Sequence, residues 1–102
     1  MAIEKTNEID ALATEKNGKR LCLAIFDSMN WENPAEHLGL LQDKINAYIS
    51  YIENRQYEES FGGKIKDFQI VIRFAEKAPE QCEKFIAVAN KQLKKAKVKI
   101  VF

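Results

Sequence analysis

The dipeptide Asn17-Gly18, set between two apolar-rich stretches, constrains this chain more than any other feature. A type I′ turn needs φ > 0 at both central positions, and Asn-Gly supplies that most readily. The turn predicts a hairpin between residues 9–14 and 20–26 in which paired residue numbers sum to 35. Glu15 then faces Arg20, a favourable cross-strand charge pair, while Leu12 faces Leu23 and Ala11 faces Ala24. The strand period of two puts Asp10, Leu12, Thr14, Leu21, Leu23 and Ile25 on one face. Ile9, Ala11, Ala13, Cys22, Ala24 and Phe26 take the other. The second strand is apolar on both faces, as expected of an interior strand covered on both sides.

After a turn at 28–31, Asn33 suits a helix N-cap, Pro34 the first helical position and Glu36 a capping box. Leu38, Leu41, Ile45, Tyr48, Ile49 and Ile52 recur at helical spacing, with Leu40 and Tyr51 on the opposite side, and predict a helix to about residue 56. Gly62-Gly63 mark a loop. Phe68, Ile70, Ile72 and Phe74 then alternate with Gln69, Val71, Arg73 and Ala75 as a third strand. Pro79 opens a second helix with Cys82, Phe85, Ile86, Ala89, Leu93 and Ala96 as its buried stripe. Val98, Ile100 and Phe102 alternate as a last strand.

The order is ββαβαβ. Right-handed crossovers make strands two to four parallel, with the first antiparallel to the second. The expected fold is an α+β (or α/β) two-layer sandwich, a four-stranded mixed sheet with two helices on one face. Its 102 residues suit one domain, 1–102. The helices cover Leu21, Leu23, Ile25, Ile70, Ile72, Val98 and Ile100. The other face keeps Ala11, Ala13, Cys22, Ala24, Phe26, Val71 and Val101, edged by Gln69, Arg73 and Lys99. That face is too apolar to leave in water. It is expected to be a homodimer interface, or to be covered by the N-terminal segment or another protein.

Charge adds a second asymmetry. The net charge is +1, yet residues 1–63 carry 6 basic and 11 acidic side chains, whereas 64–102 carry 10 basic and 4 acidic. The two parts can attract each other within one fold or between copies. Nothing in this composition fits a disordered acidic chain, a disulfide framework or a strongly basic nucleic-acid coat. No apolar run reaches the roughly 20 residues of a membrane span, and Met1–Thr6 has no signal pattern. The expected location is the cytoplasm, most simply a bacterial one.

The hairpin, the Trp31-Glu32-Asn33-Pro34-Ala35-Glu36-His37-Leu38 helix entry, the stretch Leu40-Leu41-Gln42-Asp43-Lys44-Ile45-Asn46-Ala47-Tyr48 and Ile70-Val71-Ile72-Arg73 resemble a small, uncharacterised bacterial family of about this length. The resemblance covers most of the chain and implies no activity, because its motifs are structural. The element order is also similar to the first part of the anti-sigma-factor-antagonist (STAS) domain, which binds protein partners. That family places a phosphorylatable Ser after its third strand. Here the region reads Ala75-Glu76-Lys77-Ala78-Pro79-Glu80, without Ser or Thr, which leaves only an analogy of topology.

Chemically, the chain offers little. Parallel strands gather ligands at their C-terminal ends, which makes Asp27, Trp31, His37, Glu76 and Lys77 the candidate polar site for a small ligand or minor reaction. Against that, Asp27 can cap a turn, Trp31 can pack as a hydrophobic staple, and a lone His without a placed acid is ordinarily a half-exposed helix residue. One His and two distant cysteines, Cys22 and Cys82, give no metal site and no redox motif, and no cofactor is expected. Gly62-Gly63 lacks the context of a phosphate loop. Lys91, Lys94, Lys95, Lys97 and Lys99 read as a solvated face, so nucleic acid is disfavoured. Of Tyr48, Tyr51 and Tyr57, a conceivable aromatic strip, Tyr48 reads as core. The leading expectation is a non-catalytic domain that acts through protein–protein contact as a homodimer or with another protein. The candidate interface is Ala11, Ala13, Cys22, Ala24, Phe26, Val71, Arg73 and Val101. The alternative is a small-molecule-binding protein or minor enzyme at the polar strand ends.

Overall fold

The structure, a computed structural model, describes residues 8–102. The N-terminal stretch 1–7, on which the missing signal pattern and one candidate cover for the open face were read, lies outside the described residues. The elements are β1 (Ala11–Glu15), β2 (Arg20–Asp27), α1 (Pro34–Glu53), α2 (Glu58–Phe61), β3 (Asp67–Phe74), α3 (Glu80–Leu93) and β4 (Val98–Val101). A 3₁₀ turn, Lys94–Ala96, links α3 to β4. Four strands form one mixed sheet in the order β1-β2-β3-β4. β1 is antiparallel to β2, and β2, β3 and β4 are parallel.

The hairpin register is the one its turn predicts, with Glu15 opposite Arg20, Leu12 opposite Leu23 and Ala11 opposite Ala24. Asn17 and Gly18 have φ of 58° and 81°, and Lys19 N–H donates to Lys16 O at 3.3 Å. Lys16 also has positive φ, 52°. The ladder ends at the Glu15–Arg20 pair.

The chain moves across the sheet in one direction, so two crossovers of the same hand put α1 and α3 on one face. Leu21, Leu23, Ile25, Ile70, Ile72 and Ile100 from the sheet share one core with Leu41, Ile45 and Tyr48 of α1 and Cys82 and Ile86 of α3. Each fully buried aliphatic side chain stabilises the fold by about 1.5–3 kcal/mol over its exposed state. Tyr57, considered above for an aromatic strip, belongs to this core and meets Phe68 edge-on, with centroids 5.1 Å apart.

Helix α1 starts as its sequence predicts. Asn33 Oδ1 accepts from Glu36 N–H at 3.4 Å, and Asn33 Nδ2 donates to the Glu36 carboxylate at 3.1 Å. It ends earlier than predicted, at Glu53 rather than near 56. Arg55 N–H donates to Ile52 O and Gln56 N–H to Tyr51 O, with Arg55 at φ 57°. This is the two-bond left-handed helix end usually made by glycine. Because Arg occupies the left-handed position, the stop has no glycine to announce it. The short helix α2 follows. Leu40 and Tyr51, expected on the outer side, are half-buried against the core.

The two sheet edges differ. At β4, Asn90 of α3 satisfies both backbone groups of Ile100: its Nδ2 donates to Ile100 O at 3.0 Å, and its Oδ1 accepts from Ile100 N–H at 2.7 Å. A side chain there substitutes for a fifth strand. All five residues of β1 are exposed. Its Leu12, which parity placed on the helix side, is still 37% exposed because it sits at the edge of the covered layer.

Candidate functional site

Among the described residues, the predicted polar site and the predicted interface occupy two separate places. The first is the C-terminal end of β2. Asp27 ends that strand, and its Oδ1 accepts from Met29 N–H at 3.1 Å, which turns the chain toward α1. His37 comes in from the first turn of α1. Its Nδ1 lies 2.9 Å from Asn30 O, and its Nε2 lies 2.5 Å from Asp27 Oδ2. A carbonyl only accepts, so Nδ1 carries a proton, and a second proton bridges Nε2 and the carboxyl. Trp31 lies flat on the imidazole, centroids 3.5 Å apart and planes 15° apart. The Trp31 indole N–H donates to Glu76 O at 3.3 Å, tying the loop after β2 to the loop after β3.

Both side chains of the His37–Asp27 pair have zero exposure. The expectation of a half-exposed histidine without an acid partner is therefore corrected: the partner is Asp27, ten residues upstream. The pairing has the chemistry of a general base and no path to a substrate. It clasps β2, the loop and α1 together. Glu76 joins through its backbone, not its carboxylate. Lys77 lies apart, lining a depression of about 340 Å3 with Phe74, Glu83 and Phe102. Of the five predicted polar-site residues, three thus form a closed cluster and two stay exposed at its margin.

The second place is the uncovered face of the sheet. Residues paired by register point to the same side. All eight predicted interface residues, Ala11, Ala13, Cys22, Ala24, Phe26, Val71, Arg73 and Val101, line one shallow depression of about 480 Å3 with Leu12, Glu15, Gln69 and Phe102. One row, Ala11-Ala24-Val71-Val101, runs apolar across all four strands. Polar groups stand at its sides. Arg20 pairs with Asp67 at 2.7 Å. The Cys22 thiol donates to Glu15 Oε1 at 3.1 Å and approaches Gln69 Oε1 at 3.6 Å.

A family model described as a family of unknown function (DUF6572) matches residues 1–102. The chain belongs to the DUF6572 family. Neither the curated proteins nor the solved structures include a match to it.

In this DUF6572 chain the cysteines are not poised for nucleophilic work. Partial burial, then the hydrogen bond to Glu15, pushes the Cys22 thiol up to about 11. Burial also lifts Cys82 to about 11. Both are free, Cys82 in the core under the helices and Cys22 on the open face. Among the described residues, no three His, Cys, Asp or Glu side chains gather where a metal could sit, and no helix is long and apolar enough to cross a membrane. Lys94, Lys97 and Lys99 line a separate depression of about 340 Å3 with Asn90 and Val98.

The sequence reading missed one buried charge pair. Lys44 Nζ meets Asp10 Oδ1 at 2.9 Å, with both side chains at zero exposure. Asp10 Oδ2 also accepts from Phe26 N–H at 2.9 Å. Tyr48, one turn after Lys44, donates to Ala24 O at 2.5 Å and accepts from Asp10 N–H at 2.9 Å. The available signal was the spacing His37, Leu41, Lys44, Tyr48, which places the lysine within the apolar stripe of α1.

Proposed function

We propose that this DUF6572 chain is a non-catalytic domain that works through protein–protein contact, with the open face of the sheet as its docking surface. The observation that carries the reading is the apolar row Ala11-Ala24-Val71-Val101, flanked by Phe26 and left uncovered by either helix. An apolar row left facing water across a sheet is a standing cost that a partner removes. The polar cluster at the end of β2 supports the same reading by being closed, with Asp27 and His37 both buried.

The test places a photoreactive phenylalanine analogue at position 26 of the full chain in cells, with a control at Val88, which is 55% exposed on α3. Irradiation should give a discrete protein adduct from position 26 and none from position 88. Mass spectrometry then identifies the partner. Absence of an adduct at position 26 would reject the docking surface.

A further inference from the structure

We propose that the occupant of the open face is a second copy of this chain, packed face to face about a two-fold axis parallel to the strands. This rests on the reading of that face as a protein-contact surface.

The face is a grid of four rows set by the strand register. From the hairpin end, the first row is Glu15, Arg20 and Asp67. The second is Ala13, Cys22, Gln69 and Lys99, and the third is Ala11, Ala24, Val71 and Val101. Phe26 and Arg73 close the grid. A dimer two-fold is isologous, so the grid must complement itself.

An axis along the strands lays β1 over β4 of the second copy and β2 over its β3, and keeps each row on its counterpart. Ala24 then sits on Val71 and Ala11 on Val101, small against large. Cys22 meets Gln69, polar on polar, and Arg20 meets Asp67. Phe26 comes under the Arg73 guanidinium, a cation–π arrangement. Glu15 comes over the start of β4, within reach of Lys99. Ala13 comes under the stem of Lys99, whose ammonium is the group that reaches Glu15.

The other in-plane axis, across the strands, reverses the rows. It sets Gln69 on Val71 and Lys99 on Val101, burying polar groups against apolar ones that cannot bond them. At the ends of the grid that axis would also set Asp67 on Arg73 and Arg20 on Phe26, so the two middle rows carry the choice, and they favour the axis along the strands. Sheets packed this way lie about 10 Å apart with strands within about 30° of alignment. Four strands and four rows give a face of about 400 Å2 in projection, against about 800 Å2 per partner in a standard interface. The dimer should therefore be in concentration-dependent equilibrium.

The experiment is light scattering and sedimentation of the purified full chain from low micromolar to millimolar concentration, for the native chain, Glu15→Lys and Lys99→Glu. The native chain should dimerise. Each variant alone sets like charges opposite one another twice per dimer and should weaken association about tenfold, about 1.4 kcal/mol. An equimolar mixture of the two restores opposite charges at both contacts and should return to native affinity. Both sites are exposed; Glu15→Lys also faces Arg20 within its own hairpin, so a thermal melt checks each variant's fold, and rescue on mixing separates lost association from lost folding. Native affinity in each variant alone, or failure of the mixture to rescue, overturns the proposed axis. A native chain that stays monomeric throughout overturns the second copy, while an adduct at position 26 with a different protein would leave the docking surface standing.

Discussion

His37 Nε2 and Asp27 Oδ2 lie 2.5 Å apart with neither side chain exposed, so a residue from the first turn of α1 is locked to the last residue of β2. Removing one member of a buried pair leaves the other desolvated, at a cost of about 3–5 kcal/mol. Asp27→Ala and His37→Ala should each lower the urea midpoint accordingly. Trp31, stacked on His37 and the sole tryptophan, should change its emission in the His37 variant before any unfolding. A loss below about 1 kcal/mol in both variants would mean the clasp is a surface-grade ion pair.

Asp10 neutralises Lys44 and also accepts from the Phe26 backbone. Asp10→Ala removes both roles at once. The expected loss is about 3–5 kcal/mol, with faster hydrogen exchange at the Phe26 amide. Unchanged exchange at that amide would contradict the double role.

Alkaline pH should destabilise the protein. Burial raises Cys22 and Cys82 from 9.0 to about 11 and Tyr48 from 10.0 to about 12. The folded state thus favours the protonated, neutral form of each group. The contribution is complete below the unfolded value and is lost as pH rises through the folded one. Melting temperature should therefore fall between about pH 9 and 12, and Cys82→Ala should flatten the lower part of that fall. A flat profile across the window contradicts the shifts.

Arg55 holds the left-handed position at the end of α1, at φ 57°, where glycine is unstrained. Its side chain pairs with Glu58 at 3.9 Å on the surface. Arg55→Gly should stabilise by about 0.5–1 kcal/mol, because relief of backbone strain outweighs an exposed pair and the added chain entropy. Measured destabilisation would show that the pair matters more than the strain.

Asn90→Ala removes both bonds to Ile100 and reopens the β4 edge. Exchange at the Ile100 amide should accelerate while most core amides stay protected, with a stability loss of about 1–3 kcal/mol. Exchange that rises equally everywhere would point to global destabilisation instead.

The hairpin, the start of α1 and the face assignments were legible because each depends on local chemistry: Asn17-Gly18, the Asn33-Pro34-Glu36 cap and strict alternation in β2 and β3. Asp27, Trp31 and His37 were legible as individuals. Their closure was not, because it depends on the direction the chain takes through 28–30, which a three-residue turn does not announce. Lys44 was invisible for a related reason. A lysine within an apolar stripe ordinarily lets its stem lie along the core and its head reach water, whereas here the head meets Asp10, 34 residues away, inside the fold. The end of α1 was misjudged because an arginine occupies the left-handed position.

The strand order β1-β2-β3-β4 has a consequence for synthesis on the ribosome. Each new strand needs only the one before it as a template, and none has to be inserted between two already paired. The hairpin can close while α1 is still in the exit tunnel, β3 completes the first layer over α1, and β4 arrives last with Asn90 already in place to seal it. A nascent chain assembled in this way presents one growing edge at a time, and the pairing of Asn90 with Ile100 closes that edge.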